Sequence, residues 1–312
     1  MASQIYNQIK SGFSKLNPGE VREAAGRRLS IGLIASTSAG FAALEDLFAP
    51  PSPAQAGRCA IERVRGAPTS TFDLLLAEGE LLVPPGAFRF DPADPRRTVR
   101  EIVDRREDLQ LALASNFRAF RQPVIAKIVK AISRENALFS VLTALPDILP
   151  SIVELPWAVG EFASDTAFLT MNQVRMAFLI AGASDRDVGY REQRAQIAGI
   201  VGGAFGWRAL ARELAGKIPF GGGLLPKAAI AYAGTYTVGI GLERFYRVGY
   251  GLTREERRRI YTKALARGRV VVDAVLKAAR IPGRAAVRPG AIAPAGRVET
   301  LPAPPSSDEP RH

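Results

Sequence analysis

The chain has 312 residues, 47% of them hydrophobic and 23% charged, which is enough apolar material for a folded core. Its formal net charge of +12 and pI near 10.2 point to an anionic partner, with nucleic acid and acidic lipid both compatible. Cys59 is the only cysteine and His312, the last residue, the only histidine, so an internal disulfide, a cysteine-based zinc site, His-ligated metals and Ser-His-Asp or Cys-His catalysis are excluded, and no cofactor is implied.

Residues 1–27 read as an amphipathic helix and a linker. Ile5, Ile9, Phe13 and Leu16 fall at helical spacing, with Lys10 and Lys15 off that stripe. Asn17-Pro18-Gly19 is expected to stop the helix. Such a segment either lies on a membrane or partner, or docks as a terminal helix on its own domain. The N-terminus has no apolar stretch followed by a small-residue cleavage site, so the expected location is the cytoplasm.

Residues 28–95 predict a small α/β unit. An apolar strand over Leu29–Ile34 runs into a small-residue loop, Ala35 to Gly40, and then a helix from Phe41 to Phe48. That is the layout of a phosphate-binding loop, in which backbone N–H groups at a helix N-terminus cradle an anion. Aligned on GxxxxGK[ST], Ala35 and Gly40 take the glycine positions, Phe41 the lysine and Ala42 the magnesium-binding hydroxyl. Ser36, Thr37, Ser38 and Gly40 remain candidates for weak anion binding, but nucleotide turnover lacks its cation and its metal ligand. The same residues also read as an ordinary strand–turn–helix capped by serine or threonine. Short strands are expected at Cys59–Val64, Phe72–Ala77 and about Phe88–Phe90. The second of these ends in Ala77-Glu78-Gly79-Glu80, without the Asp-x-x-Gly of a GTPase, and the guanine-reading Asn/Thr-Lys-x-Asp is also absent. About 65 residues is short for a domain of its own.

Residues 96–283 read as helical. One stripe, Val99 to Phe120, is expected to run until Pro123, and a second helix to carry Val124, Ile128, Ile132, Leu138 and Leu142. Pro146, Pro150 and Pro156 with Asp147 and Glu154 argue against a straight membrane span in the apolar window that follows, and favour a buried or re-entrant broken helix. Asp165–Ser184 predicts another apolar helix, on which Asn172, Gln173 and Arg175 either form an interhelical polar cluster or face water. After a loop at 185–187 and a helix over Gly199–Gly216, the Ala- and Gly-rich stretch from Ile218 to Gly249 predicts an apolar helical hairpin turned at Phe220–Pro226. Its glycines serve close backbone approach, and Lys227 is its one cation before Glu243. Residues Ile218–Leu242 are about long enough to cross a bilayer. A last helix begins near Thr253, with Glu255 and Glu256 in its first turn. Arg257, Arg258, Arg259, Lys263, Arg267 and Arg269 then make it strongly basic, a contact for anionic lipid headgroups in which Lys227 would share, or a solvated face. Residues 284–312, rich in Pro, Ala, Gly and Ser, read as a disordered tail.

The segments ALPDILP, LTMNQVRMAFLIAG, GGAFGWRALARELAGKIPFGGG and KAAIAYAGTYTVGIGLERFYRVG, between Asn136 and Gly249, resemble the YcjF-like GTPase-associated domain of unknown function. The resemblance implies a helical, membrane-associated body that follows an Era/Ras-like GTPase domain. The strand–loop–helix at Leu29–Phe48 then stands where that domain would begin, as a truncated, degenerate remnant. The expected fold class is α+β, mainly α-helical: a small P-loop-like remnant followed by a helical bundle with a glycine-rich hairpin. The expected function is non-enzymatic, a membrane-associated pseudo-GTPase acting as scaffold or regulator at the cytoplasmic face. Its expected partners are anionic lipid and a protein such as an intact GTPase, with small-molecule substrates and nucleic acid disfavoured. The alternatives are a P-loop protein that holds nucleotide through backbone contacts alone and a soluble basic nucleic-acid binder. No recognised nucleic-acid-binding motif supports the latter.

Overall fold

A computed structural model describes residues 16–49, 57–65, 71–79, 84–143, 165–201 and 224–278. The expected N-terminal helix over Ser3–Leu16, the proline-broken window and the disordered tail therefore lie outside the described residues, apart from Leu16 itself. So do residues 218–223 of the expected hairpin and all but the first residues of the expected Gly199–Gly216 helix; a helical stretch over 194–201 is described.

The fold is α+β and mainly helical. It opens on a helix that the sequence reading did not place, started by Asn17-Pro18-Gly19. Asn17 caps α1 (Pro18–Gly26) by accepting from the Gly19 N–H at 2.9 Å, and Pro18 occupies the first turn, where its missing donor costs nothing. Strand β1 (Ser30–Ile34) follows, then α2 (Ser38–Leu47), β2 (Ala60–Arg63), β3 (Leu74–Glu78) and β4 (Phe88–Phe90). Among the described residues these strands form one wholly parallel sheet in the order β2-β1-β3-β4. β1 and β3 read as near-continuous apolar runs, as strands covered on both faces do; Ile31, Leu33, Leu74 and Leu76 are all essentially inaccessible.

The helical part departs from the single stripe in having two breaks before Pro123. It consists of α3 (Pro95–Arg105), a 3-10 turn (Glu107–Leu109), α4 (Gln110–Asn116) and α5 (Arg118–Leu142). The Asn116 amide closes α4 on the Ala112 carbonyl at 2.8 Å, and Arg121 caps its end by donating to the Ala114 and Ser115 carbonyls. Pro123 does not divide the helices; it sits in the second turn of α5. There it withholds one N–H from the Ala119 carbonyl, and Ala119 is exposed, so water is on hand to replace it.

Helices α6 (Asp165–Ala183), α7 (Leu224–Val248) and α8 (Arg254–Ala278) complete the described bundle. α6 ends on Asp185 at φ 54°, with Arg186 N–H donating to the Ala181 carbonyl in a Schellman-type stop. α8 starts on a reciprocal capping box: Thr253 Oγ1 accepts from the Glu256 N–H and Glu256 accepts from the Thr253 N–H.

One core joins sheet to bundle. Phe48, at the end of α2, packs edge-on against Phe117 (ring centroids 5.1 Å apart) and stacks on Phe120 (5.7 Å), and the same apolar cluster runs from Leu29 through Val129 and Phe178 to Tyr246. Phe139 of α5 stacks on Phe168 of α6. α7 lies against α5, α6 and α8, and small residues make the close crossings. A Cβ on Gly239 would stand 2.6 Å from a Val129 methyl, and one on Gly268 would stand 3.0 Å from the Ala229 carbonyl oxygen.

Candidate functional site

A parallel sheet in this order has a switch point between β1 and β3, because the chain leaves those two strands in opposite directions, and ligands of such folds sit beyond the strand ends there. The β1–α2 turn and the end of β3 meet at that place. β1 pairs with β3 so that Ile34 stands opposite Ala77, which sets Glu78 level with the turn. Thr37 caps α2 by accepting from the Gly40 N–H at 2.9 Å, and the Phe41 N–H closes on the Thr37 carbonyl.

Glu78 fills the remaining room. Its Oε2 accepts from the Ser36 N–H at 3.1 Å and from the Ser36 hydroxyl at 3.2 Å. Its carboxylate also lies where a Cβ on Gly40 would be, 2.3 Å from that position. A carboxylate is thus held against the first turn of a helix, the place that dipole and free N–H groups make favourable for an anion. Of the four anion-binding candidates, Ser36, Thr37 and Ser38 are exposed and Gly40 is buried. The Ser36 and Gly40 amides are both engaged within the chain. Phe41, at the lysine position, is turned into the core at 6% exposure, under the Arg63 guanidinium. Two cations on the outer strands are committed elsewhere: Arg63 is paired with Glu45 and Arg89 donates to the Gly79 carbonyl. Among the described residues no three His, Cys, Asp or Glu side chains gather as a metal would need.

The second candidate set lies in the bundle. Asn172 is fully buried, Gln173 nearly so, and Arg175 partly covered. They meet residues of two other helices. Asn172 donates to Asn136 Oδ1 at 2.8 Å, Asn136 donates to Thr235 Oγ1 at 2.7 Å, and Gln173 reaches the same Thr235 oxygen at 3.3 Å. Arg175 pairs with Glu135 of α5. Amides on α5 and α6 and a hydroxyl on α7 therefore share one polar knot between apolar layers, which fixes the register of three helices.

The basic candidates lie on α8 and at the start of α7. Tyr261, Ala264, Gly268 and Val272 recur at the spacing of one helix face and turn inward against α7. Arg257, Arg258, Arg259, Lys263, Arg267 and Arg269 are all exposed, as is Lys227. Ala228 clusters with Val272, so the antiparallel pair sets Lys227 by the C-terminal half of α8 and Arg257–Arg259 at the far end. The cations line a surface; they do not converge on a point. Val270 stands among them at 69% exposure. Among the described residues no helix is long and apolar enough to cross a membrane.

Glu78 is the residue that sequence reading passed over. It registered only as the absence of a GTPase aspartate. Its meaning depends on a strand pairing between positions 42 residues apart, and no local pattern carries that information. Searches of protein families, curated proteins and solved structures return no match to this chain.

Proposed function

We propose that the chain is a non-enzymatic, membrane-associated pseudo-GTPase that serves as scaffold or regulator. The observation that carries this reading is the Glu78 carboxylate bound to the Ser36 amide and hydroxyl, in the turn where a phosphate would lie. A triphosphate approaching this turn meets a fixed negative charge. It also meets a phenylalanine and an alanine, Phe41 and Ala42, where an ammonium and a hydroxyl would be needed. The exposed cations of α8 supply the membrane half of the reading, as a headgroup contact worth about 1 kcal/mol per Lys or Arg near an anionic surface. α8 needs no spanning segment for this role.

The test has two arms on the full chain. Titration with a fluorescent GTP analogue and Mg²⁺ is expected to show no saturable binding at micromolar concentrations, and micromolar affinity would overturn the pseudo-GTPase assignment. Co-sedimentation with phosphatidylglycerol vesicles is expected at low salt and should be lost with Arg258→Glu, Arg259→Glu and Lys263→Glu together. Equal sedimentation with neutral vesicles, or no effect of the three reversals, would refute the lipid contact.

A further inference from the structure

Six large apolar side chains are exposed among the described residues, and three of them crowd the end of α7: Phe245 at 37%, Val248 at 40% and Tyr250 at 59%. Single apolar residues on a surface are ordinary, whereas a cluster marks a contact. Phe245 and Val248 stand three apart on one helix face. Gly241, four before Phe245, belongs to that face, and Leu252 folds back onto it, its Cδ1 3.7 Å from where a Cβ on Gly241 would be. Gly249, at φ 86°, ends α7 by donating to the Phe245 carbonyl at 2.8 Å. Beyond it the Tyr250 ring centroid lies 5.1 Å from the Arg244 guanidinium.

The charges around this turn divide into spent and free. Arg244 pairs with Glu256 and Arg247 with Glu243. Arg254, Arg257 and Arg258 are exposed and meet no carboxylate in ion-pair range among the described residues; Glu255 is the one acid of the turn outside an ion pair. The Arg257 guanidinium reaches the Leu252 carbonyl at 3.5 Å, which sets a cation at the border of the apolar cluster. The Gly249, Thr253 and Glu256 N–H groups are bonded within the turn, which lowers the cost of taking these helix ends into a water-poor layer.

We propose that the α7–α8 turn enters the interface of an anionic bilayer, an inference that rests on the membrane-associated reading above and names its point of entry. Phe245, Val248 and Tyr250 pass below the headgroups, and Arg254, Arg257 and Arg258 meet the lipid phosphates. Interfacial insertion needs this pairing of apolar and aromatic side chains with free cations. A nucleic acid fits the turn poorly, because Val248 and Leu252 offer no ring and Arg244 covers one face of Tyr250. A second copy fits poorly too, since an isologous contact would bring the same free arginines of two chains together.

The experiment uses the full chain and phosphatidylglycerol vesicles. Val248→Cys in a Cys59→Ala background, labelled with the fluorophore NBD, should shift its emission to the blue on adding vesicles. Val248→Ser with Tyr250→Ser keeps every charge and should partition about tenfold more weakly. The difference should persist at about 1 M salt, where screening within about 3 Å removes most of the headgroup attraction. Both positions are exposed, so the variants should melt as the parent does; if the serine pair does not, the label decides. A parent that fails to sediment with these vesicles at low salt overturns the membrane reading and this inference together. If the parent sediments, an unshifted label, or a folded serine pair that sediments equally, overturns the point of entry alone and leaves the α8 headgroup contact standing. Binding of a single-stranded oligonucleotide, or a dimer in solution, that the serine pair abolishes would give the turn another occupant and overturn the proposal.

Discussion

Replacing Asn136 by alanine tests the bundle at its centre. The side chain is fully buried, donates to Thr235 Oγ1 at 2.7 Å and accepts from Asn172 Nδ2 at 2.8 Å. Truncation removes both bonds, together with a longer one from Asn136 Nδ2 to the Leu169 carbonyl at 3.4 Å, and strands the Asn172 amide nitrogen; the Asn172 Oδ1 already lacks a partner. The bond to Thr235 is worth about 1 kcal/mol, and a buried amide left without its acceptor costs about 1–3 kcal/mol. The void left by the carboxamide adds somewhat under 1 kcal/mol at about 24 cal/mol per Å³. The expected loss is therefore about 3–5 kcal/mol. In urea unfolding followed by circular dichroism, it should appear as a lower midpoint at unchanged slope. The melting temperature should fall by roughly 6–20 °C for a chain of this size. Asn136→Leu fills the void yet still strands Asn172, and so should recover only the packing part, under about 1 kcal/mol. A loss below about 1 kcal/mol for Asn136→Ala would refute the assignment of this amide to the knot, because that is the range of an exposed polar contact.

Three further perturbations follow from other parts of the fold. Gly268→Ala should destabilise by about 1–3 kcal/mol despite the usual gain of replacing a helical glycine. The new methyl meets Ala229 backbone atoms at 3.0 and 3.2 Å, which cannot rotate away; a more stable variant in the same urea assay would refute the close crossing of α7 and α8. Glu256 is held down to about 2 by the Thr253 N–H and then by the Arg244 guanidinium. A carboxyl depressed in the folded state stabilises above its ordinary value of 4.5, and that stabilisation is lost as pH falls toward 2. The stability gap between the parent and Glu256→Gln should thus be full at pH 7 and close between pH 4.5 and 2, and a gap that widens on acidification would contradict the capping box. Finally, residues 16–95 produced alone should show no cooperative melt, because Phe48 packs on Phe117 and Phe120, which that fragment lacks. A sharp transition would show the α/β part to be self-sufficient.

Periodicity made some of this fold legible and left the rest out of reach. The apolar runs at Ser30–Ile34 and Leu74–Glu78 announce buried strands, and the Thr-x-x-Glu before α8 announces its start. The helix that begins at Asn17-Pro18-Gly19 went unread because proline and glycine punctuate both ends of helices; only the Asn17 side chain, turned onto the Gly19 N–H, decides that one begins here. Pro123 misled for a related reason, since an early turn tolerates a proline when the bereaved carbonyl is exposed. Asn172, Gln173 and Arg175 were visible as polar residues on an apolar helix. Their partners Asn136 and Thr235 were not, because those contacts join positions 36 and 62 residues apart.

The self-occupied turn can be weighed as a competition. Glu78 contributes two hydrogen bonds from a partly exposed carboxylate, so its hold on Ser36 is worth about 1–2 kcal/mol, toward the lower end for bonds to a charged group. That alone lowers the affinity of any anion which must displace it by about tenfold. The larger effect is electrostatic: a displaced Glu78 stays tethered to the last position of β3 and keeps its charge beside the incoming phosphates. A nucleotide-binding loop lowers that repulsion with a lysine and a magnesium ion, whereas Arg63 and Arg89 are spent on Glu45 and Gly79. On the proposed reading the acid would exclude phosphate chiefly by standing where a countercharge would be required, and the sheet order that sets the switch point between β1 and β3 also places that acid there.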